Sequence, residues 1–415
     1  MKKISSLPLI RSAWHTIYRN GTSPTAGEKT RKEVKEFARE SDRHLKRVCR
    51  QLREKRFTFR GSYGWLKDKG EGKKRPIVVA QVEERIVQRA ILDLLQSIAS
   101  LRPYYLNPYS FGGVQERDVA KAIECTAHAI RDRKSQFFVR SDIVEFYRNV
   151  PRQSVLASIK AHVTDPYLFQ LLDGATRTEL TNLGALRTMG ELFPTQFRGV
   201  AQGNCLSTLL GNILLHEFDR ITNTDQTTTI RFIDDFVILG PTLQSVRAVL
   251  ARADKVLRGH GLSLHELNGK NCKAKTGRVD KGFDFLGCKI SPGVVIPSRE
   301  SRRKVLKKVK SISDDAICDL RSISRSTLYH GNGLSEWLSR IRLTVRGWSM
   351  AFQFCDLSHP SLLQLDEDIG EAVNDLTVKA LGLLGTANQQ QRLKLLGIHR
   401  VQSTKHNPIT WSKRQ

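Results

Sequence analysis

Acidic residues are scarce in this chain of 415 residues: 41 Asp and Glu face 68 Lys and Arg, a formal charge of +27 at neutral pH. A surface this positive repels itself and attracts polyanions, so nucleic acid is the first expected partner and an anionic membrane the second. Long apolar runs are missing too. None reaches the roughly 18–20 residues that a membrane span requires. The start, MKKISSLPLIRSAW, has two lysines but an apolar stretch broken by Pro8 and Arg11, too weak for a secretory signal, so a cytoplasmic protein is expected. Seven cysteines, at 49, 125, 205, 272, 288, 318 and 355, form no Cys-x-x-Cys pair and have no His-x3-His partner. That pattern argues against a zinc site and for reduced, mostly buried thiols. No repeat of fixed period and no low-complexity linker divides the chain.

What is present is enough to fold. With 40% hydrophobic residues the chain is no disordered basic tail, and its length suits roughly two to four subdomains. From about 28 to 60, charges alternate over a helical pattern whose apolar stripe is Val34, Phe37, Ala38, Leu45, Val48 and Leu52. The turn-rich basic stretch Lys67 to Arg75, between Tyr63-Trp65-Leu66 and Ile77-Val78-Val79, predicts a β-hairpin with a basic tip. Arg85 to Leu101 reads as a helix. In the middle third the period changes: Phe137-Phe138-Val139 is a short strand running to Asp142, Ile230 to Leu239 is two apolar runs interrupted by Asp234-Asp235, and Phe283 to Ile290 is a further strand. Leu206, Leu209, Leu210, Ile213, Leu214 and Phe218 space as a helix capped by Ser207. Beyond Ser298 the strand signal ends. Arg299, Arg302, Arg303, Lys304, Lys307, Lys308 and Lys310 make a basic block, and Leu338, Ile341, Val345, Trp348 and Phe352 a helical stripe.

The chemistry concentrates on three segments. Asp234-Asp235 inside an apolar run fits the tip of a tight hairpin, since Asp tolerates turn geometry. Taken alone, it is equally a solvated turn. Asp142 ends a second buried strand, and acids converging from separate elements are what hard divalent cations such as Mg2+ demand. Each acid taken singly fits pairing with one of the many bases. Gly199 to Ser207 is a glycine loop opening a helix, where backbone can approach a nucleotide or strand closely, or an ordinary turn.

Taken in order, Asp142 in Ser-Asp-Ile-Val-Glu-Phe-Tyr, the loop Ala201-Gln202-Gly203-Asn204 and Phe232-Ile233-Asp234-Asp235 resemble the palm motifs of reverse transcriptases. Lys73-Lys74-Arg75-Pro76-Ile77 with Glu84 to Ile91 looks like the fingers of bacterial group II intron-type enzymes. Asn107-Pro108-Tyr109-Ser110-Phe111-Gly112-Gly113 looks like the next block of that family, Phe285-Leu286-Gly287 like its primer-grip strand and Arg346-Gly347-Trp348 like its thumb.

The resemblance implies an α+β right-hand polymerase: a basic helical extension over 1–60, fingers over 61–135, and a palm with a small antiparallel sheet over 136–295, carrying a fingers-type insertion around 152–198. A helical thumb over 296–385 and a basic tail over 386–415 complete it. It implies RNA-directed DNA synthesis in which Asp142, Asp234 and Asp235 hold two Mg2+ ions, with Mn2+ as a substitute. Tyr147 would occupy the sugar gate, Gln202 the nucleotide pocket, and Lys69 and Arg75 the triphosphate. Lys270 would protonate pyrophosphate, with Lys273 as a competitor. The partners implied are a structured noncoding RNA template, nascent DNA and dNTPs, with no membrane; a second copy or a partner protein stays open.

Three departures stand out. Phe232 replaces the usual Tyr, Asn204-Cys205-Leu206-Ser207 replaces the usual residues after Gln-Gly, and no nuclease signature follows the thumb. The last of these makes a stand-alone, defence-associated reverse transcriptase the expected relative. The alternatives are a group II intron-derived enzyme, a template-independent or protein-primed transferase using a hydroxyl such as that of Tyr329, and an RNA-binding scaffold.

Overall fold

The computed structural model describes residues 4–398 apart from 25, 71, 196, 268, 270–272 and 326–330, and describes Lys69 and Lys73 by their backbone alone. The chain divides into two compact units, Met1–Lys281 and Gly282–Gln415.

The first unit begins with helices Leu7–Gly21, Glu28–Arg39 and Ser41–Arg53. The basic arm expected as one helical stretch from 28 to 60 is therefore two helices, broken at Glu40 (φ −126°) and ended by Arg53, and a further helix precedes them. Ile10, Ala13, Trp14, Val34, Leu45, Val48 and Leu52 are buried in one core with Ile86, Val87 and Ile91 of the helix Val82–Ser97. Burying one face leaves most of the Lys and Arg residues of these helices in water. Strands β1 (Tyr63–Gly70) and β2 (Lys73–Val79) pair antiparallel as the basic-tipped hairpin.

The central sheet joins β3 (Phe137–Asp142), β4 (Thr228–Phe232), β5 (Asp235–Gly240) and β6 (Lys275–Arg278) in the order β4-β5-β3-β6, all antiparallel. β5 is central and covered on both faces, so Phe236, Val237, Ile238 and Leu239 are all fully buried. An uninterrupted apolar run is what such a strand requires. The helix Leu243–Gly259 packs on β3 and β5, and Val119–Asp132 on β4.

The helix Cys205–Leu214 is capped by Asn204, whose side-chain oxygen accepts from Leu206 N–H (3.0 Å), not by Ser207. The Ser207 hydroxyl instead donates to Ala201 O (2.7 Å), so it closes the loop rather than the helix.

The second unit opens with β7 (Phe283–Phe285), β8 (Cys288–Ser291) and β9 (Val294–Pro297), a three-stranded meander. The segment Phe283 to Ile290 is thus two strands, not one. Leu286 (φ 48°) and Gly287 (φ 80°) turn the chain between them, a conformation glycine adopts without penalty. Helices Arg299–Arg325, Leu334–Ala351, Pro360–Thr386 and Gln389–Leu396 follow and share a core built on Val309, Ala316, Leu320, Trp337, Ile341 and Leu376. Along the first of them Arg299, Arg303, Lys304, Lys307, Lys308 and Lys310 are exposed, while Arg302 donates to Ser361 O (2.8 Å). The buried sulfurs of Cys288 and Cys355, distant in sequence, lie 3.7 Å apart. Among the described cysteines Cys318 is exposed. No helix among the described residues is long and apolar enough to cross a membrane.

Because Ile238 is fully buried in the central strand, Ile238→Ala is expected to lower stability by about 2–5 kcal/mol in urea denaturation. A change within about 0.5 kcal/mol, the range of an exposed position, would contradict that burial.

Candidate active site

β3 ends at Asp142 and β5 begins at Asp235, and the register sets these two residues directly opposite each other. Ile143 N–H donates to Asp234 O (3.1 Å). Asp142 and Asp235 therefore fall in the adjacent pair without mutual hydrogen bonds, where side chains stand closest. Like charges so placed repel. The Asp235 carboxyl is pushed up to about 7, chiefly by burial, with the Asp142 and Asp234 charges adding to it and Arg140 and Lys273 opposing it.

Phe232 also pairs with Asp235, so the turn residues are Ile233 and Asp234. The turn expected at Asp234-Asp235 lies one residue earlier. Its left-handed residue is Ile233 (φ 64°) rather than an Asp, and Asp235 belongs to the strand.

Asp142 already faces a cation and an imidazole. Its Oδ2 accepts from Lys273 Nζ (3.0 Å), and His265 Nε2 lies 3.2 Å from Oδ1. That Oδ1 is buried and accepts no hydrogen bond. Burial holds the His265 imidazole below its usual pKa, with Asp142 opposing and Lys273 reinforcing the shift.

The expected cluster of three acids is, in this arrangement, a facing pair with Asp234 beside it on the turn. Among the described residues no three His, Cys, Asp or Glu side chains converge tightly enough to enclose a metal ion. The donor chemistry nevertheless fits a hard divalent cation: the ligands are carboxylate oxygens, one of them is a buried acceptor without a donor, and the Lys273 ammonium occupies a cation position on the other.

The remaining predicted residues surround this pair unevenly. Tyr147 is half-buried, its hydroxyl 3.4 Å from Thr208 Oγ1. Burial pushes its phenol up, the Asp234 charge adds to the shift, and Arg75 and Arg231 oppose it, which places it within electrostatic reach of both the acids and the hairpin. Gln202 joins the hairpin through its backbone, its carbonyl accepting from Val78 N–H (2.9 Å). Gly203 permits that contact: at φ 116° a Cβ would stand 2.6 Å from Val78 O. Arg75 is exposed on β2. Lys69 is on β1 beside the irregularity between Asp68 and Gly70, its side chain outside the described atoms. Lys270 and Tyr329 lie outside the described residues; the competing Lys273 is the lysine that reaches Asp142.

Residues 66–290 match the family described as reverse transcriptase (RNA-dependent DNA polymerase). The chain belongs to the reverse transcriptase family. Protein YkfC of Escherichia coli (strain K12) is 26% identical over 256 residues, covering 53% of this reverse transcriptase-family chain and 64% of that protein. The 91 kDa protein in the cob intron of Schizosaccharomyces pombe is 23% identical over 175 residues, 42% of this chain and 20% of that one. The chain thus spans less than two thirds of the length of either relative. Among solved structures, apo telomerase from Candida tropicalis, truncated from its C-terminal domain, is similar over 58% of this chain and 55% of its own, with a TM-score of 0.42 and 14% identity.

Several residues at this reverse transcriptase site escaped the motif reading. His265 carries no local signal, because only the fold brings it to Asp142. Gly112 was visible in the Asn107 to Gly113 block, and its role is now physical. Phe111 N–H donates to Arg231 O and Arg231 N–H to Tyr109 O (both 2.9 Å), so the block straps the strand that leads into the β4–β5 turn. A Cβ on Gly112 would lie 2.6 Å from Ile233 N.

A carboxyl that holds its proton more tightly folded (about 7) than unfolded (about 3.9) stabilises the fold at low pH, and that contribution is lost as pH rises through this window. Without divalent metal, the melting temperature is expected to fall between about pH 4 and pH 7, and Asp235→Asn to flatten the fall. Mg2+ added at pH 8 is expected to raise the melting temperature of the parent protein more than that of Asp235→Asn.

Proposed function

We propose that this chain is an RNA-directed DNA polymerase that extends a primer along an RNA template by two-metal nucleotidyl transfer. The observation that carries the reading is the facing pair Asp142 and Asp235, with Asp234 on the turn beside it, bordered by Tyr147 and by the glycine loop docked on a basic hairpin. Asp142, Asp234 and Asp235 hold the metal ions. When bound, Mg2+, or Mn2+ in its place, supplies positive charge to the triphosphate and lowers the pKa of the primer hydroxyl. Lys273 pairs with Asp142, bringing to it the kind of positive charge that a bound metal would supply.

Tyr147 occupies the sugar-gate position, where its ring would crowd a ribose 2′-hydroxyl and favour dNTPs. Gln202 lines the nucleotide pocket, and Lys69 and Arg75 on the hairpin grip the triphosphate. Lys270 or Lys273 protonates the departing pyrophosphate. The exposed basic faces of Glu28–Arg39, Ser41–Arg53 and Arg299–Arg325 bind the backbones of the template and its duplex, contacts that are independent of sequence and weaken with salt. On the motif resemblance we further propose a fingers, palm and thumb division and a stand-alone enzyme that copies a dedicated structured RNA in antiphage defence. Phage plating with the parent and with Asp234→Ala tests that role: the variant is expected to lose protection.

Primer extension on a defined RNA template with dNTPs and Mg2+ tests the chemistry. Asp142→Asn and Asp234→Asn are each expected to lower the rate by at least about 100-fold while the protein stays folded. Tyr147→Ala is expected to raise rNTP use relative to dNTP by about 10-fold or more. Folded parent protein that incorporates nothing on any RNA template, with Mg2+ or Mn2+, would refute the reading. Product that still forms when RNase has removed the template before dNTPs are added would point to template-independent transfer.

A further inference from the structure

Behind the catalytic turn lies a buried guanidinium that the motif does not explain. Arg231 is 1% exposed, and Asp219 on the helix His216–Thr222 is 3% exposed. Arg231 Nε donates to Asp219 Oδ1 (2.7 Å) and Nη2 to Asp219 Oδ2 (2.6 Å), a bidentate fork. Nη1 donates to Asn212 Oδ1 (3.0 Å) and to Ile233 O (2.8 Å). Asn212 is itself tied down, its Nδ2 donating to Gly112 O (3.1 Å). The guanidinium thus bridges two helices and the turn, reaches the strap through Asn212, and hydrogen-bonds the turn at the Ile233 carbonyl oxygen.

That atom constrains the backbone that carries Asp234. Ile233 O and Asp234 N belong to one rigid peptide plane, so fixing the carbonyl fixes the bond that leads into Asp234. On its other side Asp234 O is held by Ile143 N–H (3.1 Å). Asp234 is therefore anchored through both of its flanking peptide units, one tied to Arg231 and the other to the residue after Asp142. The anchor has strain to resist. Ile233 sits at φ 64°, and a β-branched residue is disfavoured there. A two-residue turn with its positive φ at the first central position would ordinarily place glycine there. Without a partner for its carbonyl, the peptide can relax by rotating, and Asp234 would rotate with it.

We propose that Arg231, held by Asp219 and Asn212, is a positioning residue that locks the Ile233–Asp234 peptide and so aims the Asp234 carboxylate at the metal position. The proposal rests on the polymerase reading above, and its test separates the two.

The informative variant is Arg231→Met with Asp219→Leu. It removes both buried charges together, a change that buried ion pairs often tolerate without loss of stability, yet leaves the turn carbonyl without its donor. Arg231→Lys keeps the charge, loses the fork, and stands in if the double variant does not fold. In folded variant protein, single-turnover incorporation at saturating dNTP is expected to fall at least 10-fold, with the dNTP concentration for half-maximal rate within twofold of the parent's. Mn2+ binding followed by electron paramagnetic resonance without nucleotide is expected to weaken at least fivefold. A folded variant with parental turnover and parental Mn2+ affinity would overturn the positioning role, because a merely structural ion pair predicts that outcome. If the parent incorporates no nucleotide, the polymerase reading fails, and the Mn2+ comparison still decides whether Arg231 aims Asp234.

Discussion

Two carboxylates set opposite each other across antiparallel strands are an electrostatic conflict, and the first unit is organised around it. The register of β3 on β5 fixes that opposition. A one-residue slip would send every side chain of β5 to the other face, and each would have to repack in a closed core, since Phe236 through Leu239 are fully buried. Burial that makes the register rigid also makes the conflict more severe, because it drives the partly buried Asp235 carboxyl up to about 7. A protonated Asp235 and an Asp142 engaged by Lys273 are two ways of supplying positive charge to one place. A divalent cation would do both jobs at once, and the proposed polymerase chemistry would use one there.

Close backbone approach is the second constraint. Gly112 lets the strap lie on Ile233, and Gly203 lets the Gln202 loop take up Val78 of the hairpin. These contacts tie 107–113 to β4 and its turn, and 201–204 to the hairpin 63–79. Since backbone makes both joints, the geometry depends on the glycines being there.

Much of this was legible because catalysis and the hairpin each require residue types that stand out: acids in apolar runs, a glycine loop, a turn rich in Gly and Lys. The strand ending at Asp142 and the paired runs around Asp234 were readable that way, and the α+β class came with the motif resemblance. What misled was competition between local and tertiary preferences. Asp is so common in turns that Asp234-Asp235 read as the tip, whereas the strap and a buried arginine hold Ile233 in the strained position. Asn204 and Ser207 are both good caps, and only the position of Ala201 O shows which one is already engaged. Phe283 to Ile290 reads as one apolar strand until the positive φ at Leu286 and Gly287 divides it. His265, Asn212 and Asp219 carry no periodic or motif signal, since their meaning comes from partners such as Asp142 and Arg231 that folding brings to them.

The facing acids are where the proposed chemistry stands or falls, and the direct measurement is the location of the metal. Crystals of the full chain soaked with Mn2+ and a dNTP, measured at the manganese absorption edge, should show anomalous density between the carboxylates of Asp142 and Asp235, with the Lys273 ammonium displaced from Asp142. Anomalous density confined to other parts of the molecule, with Lys273 still on Asp142, would contradict it.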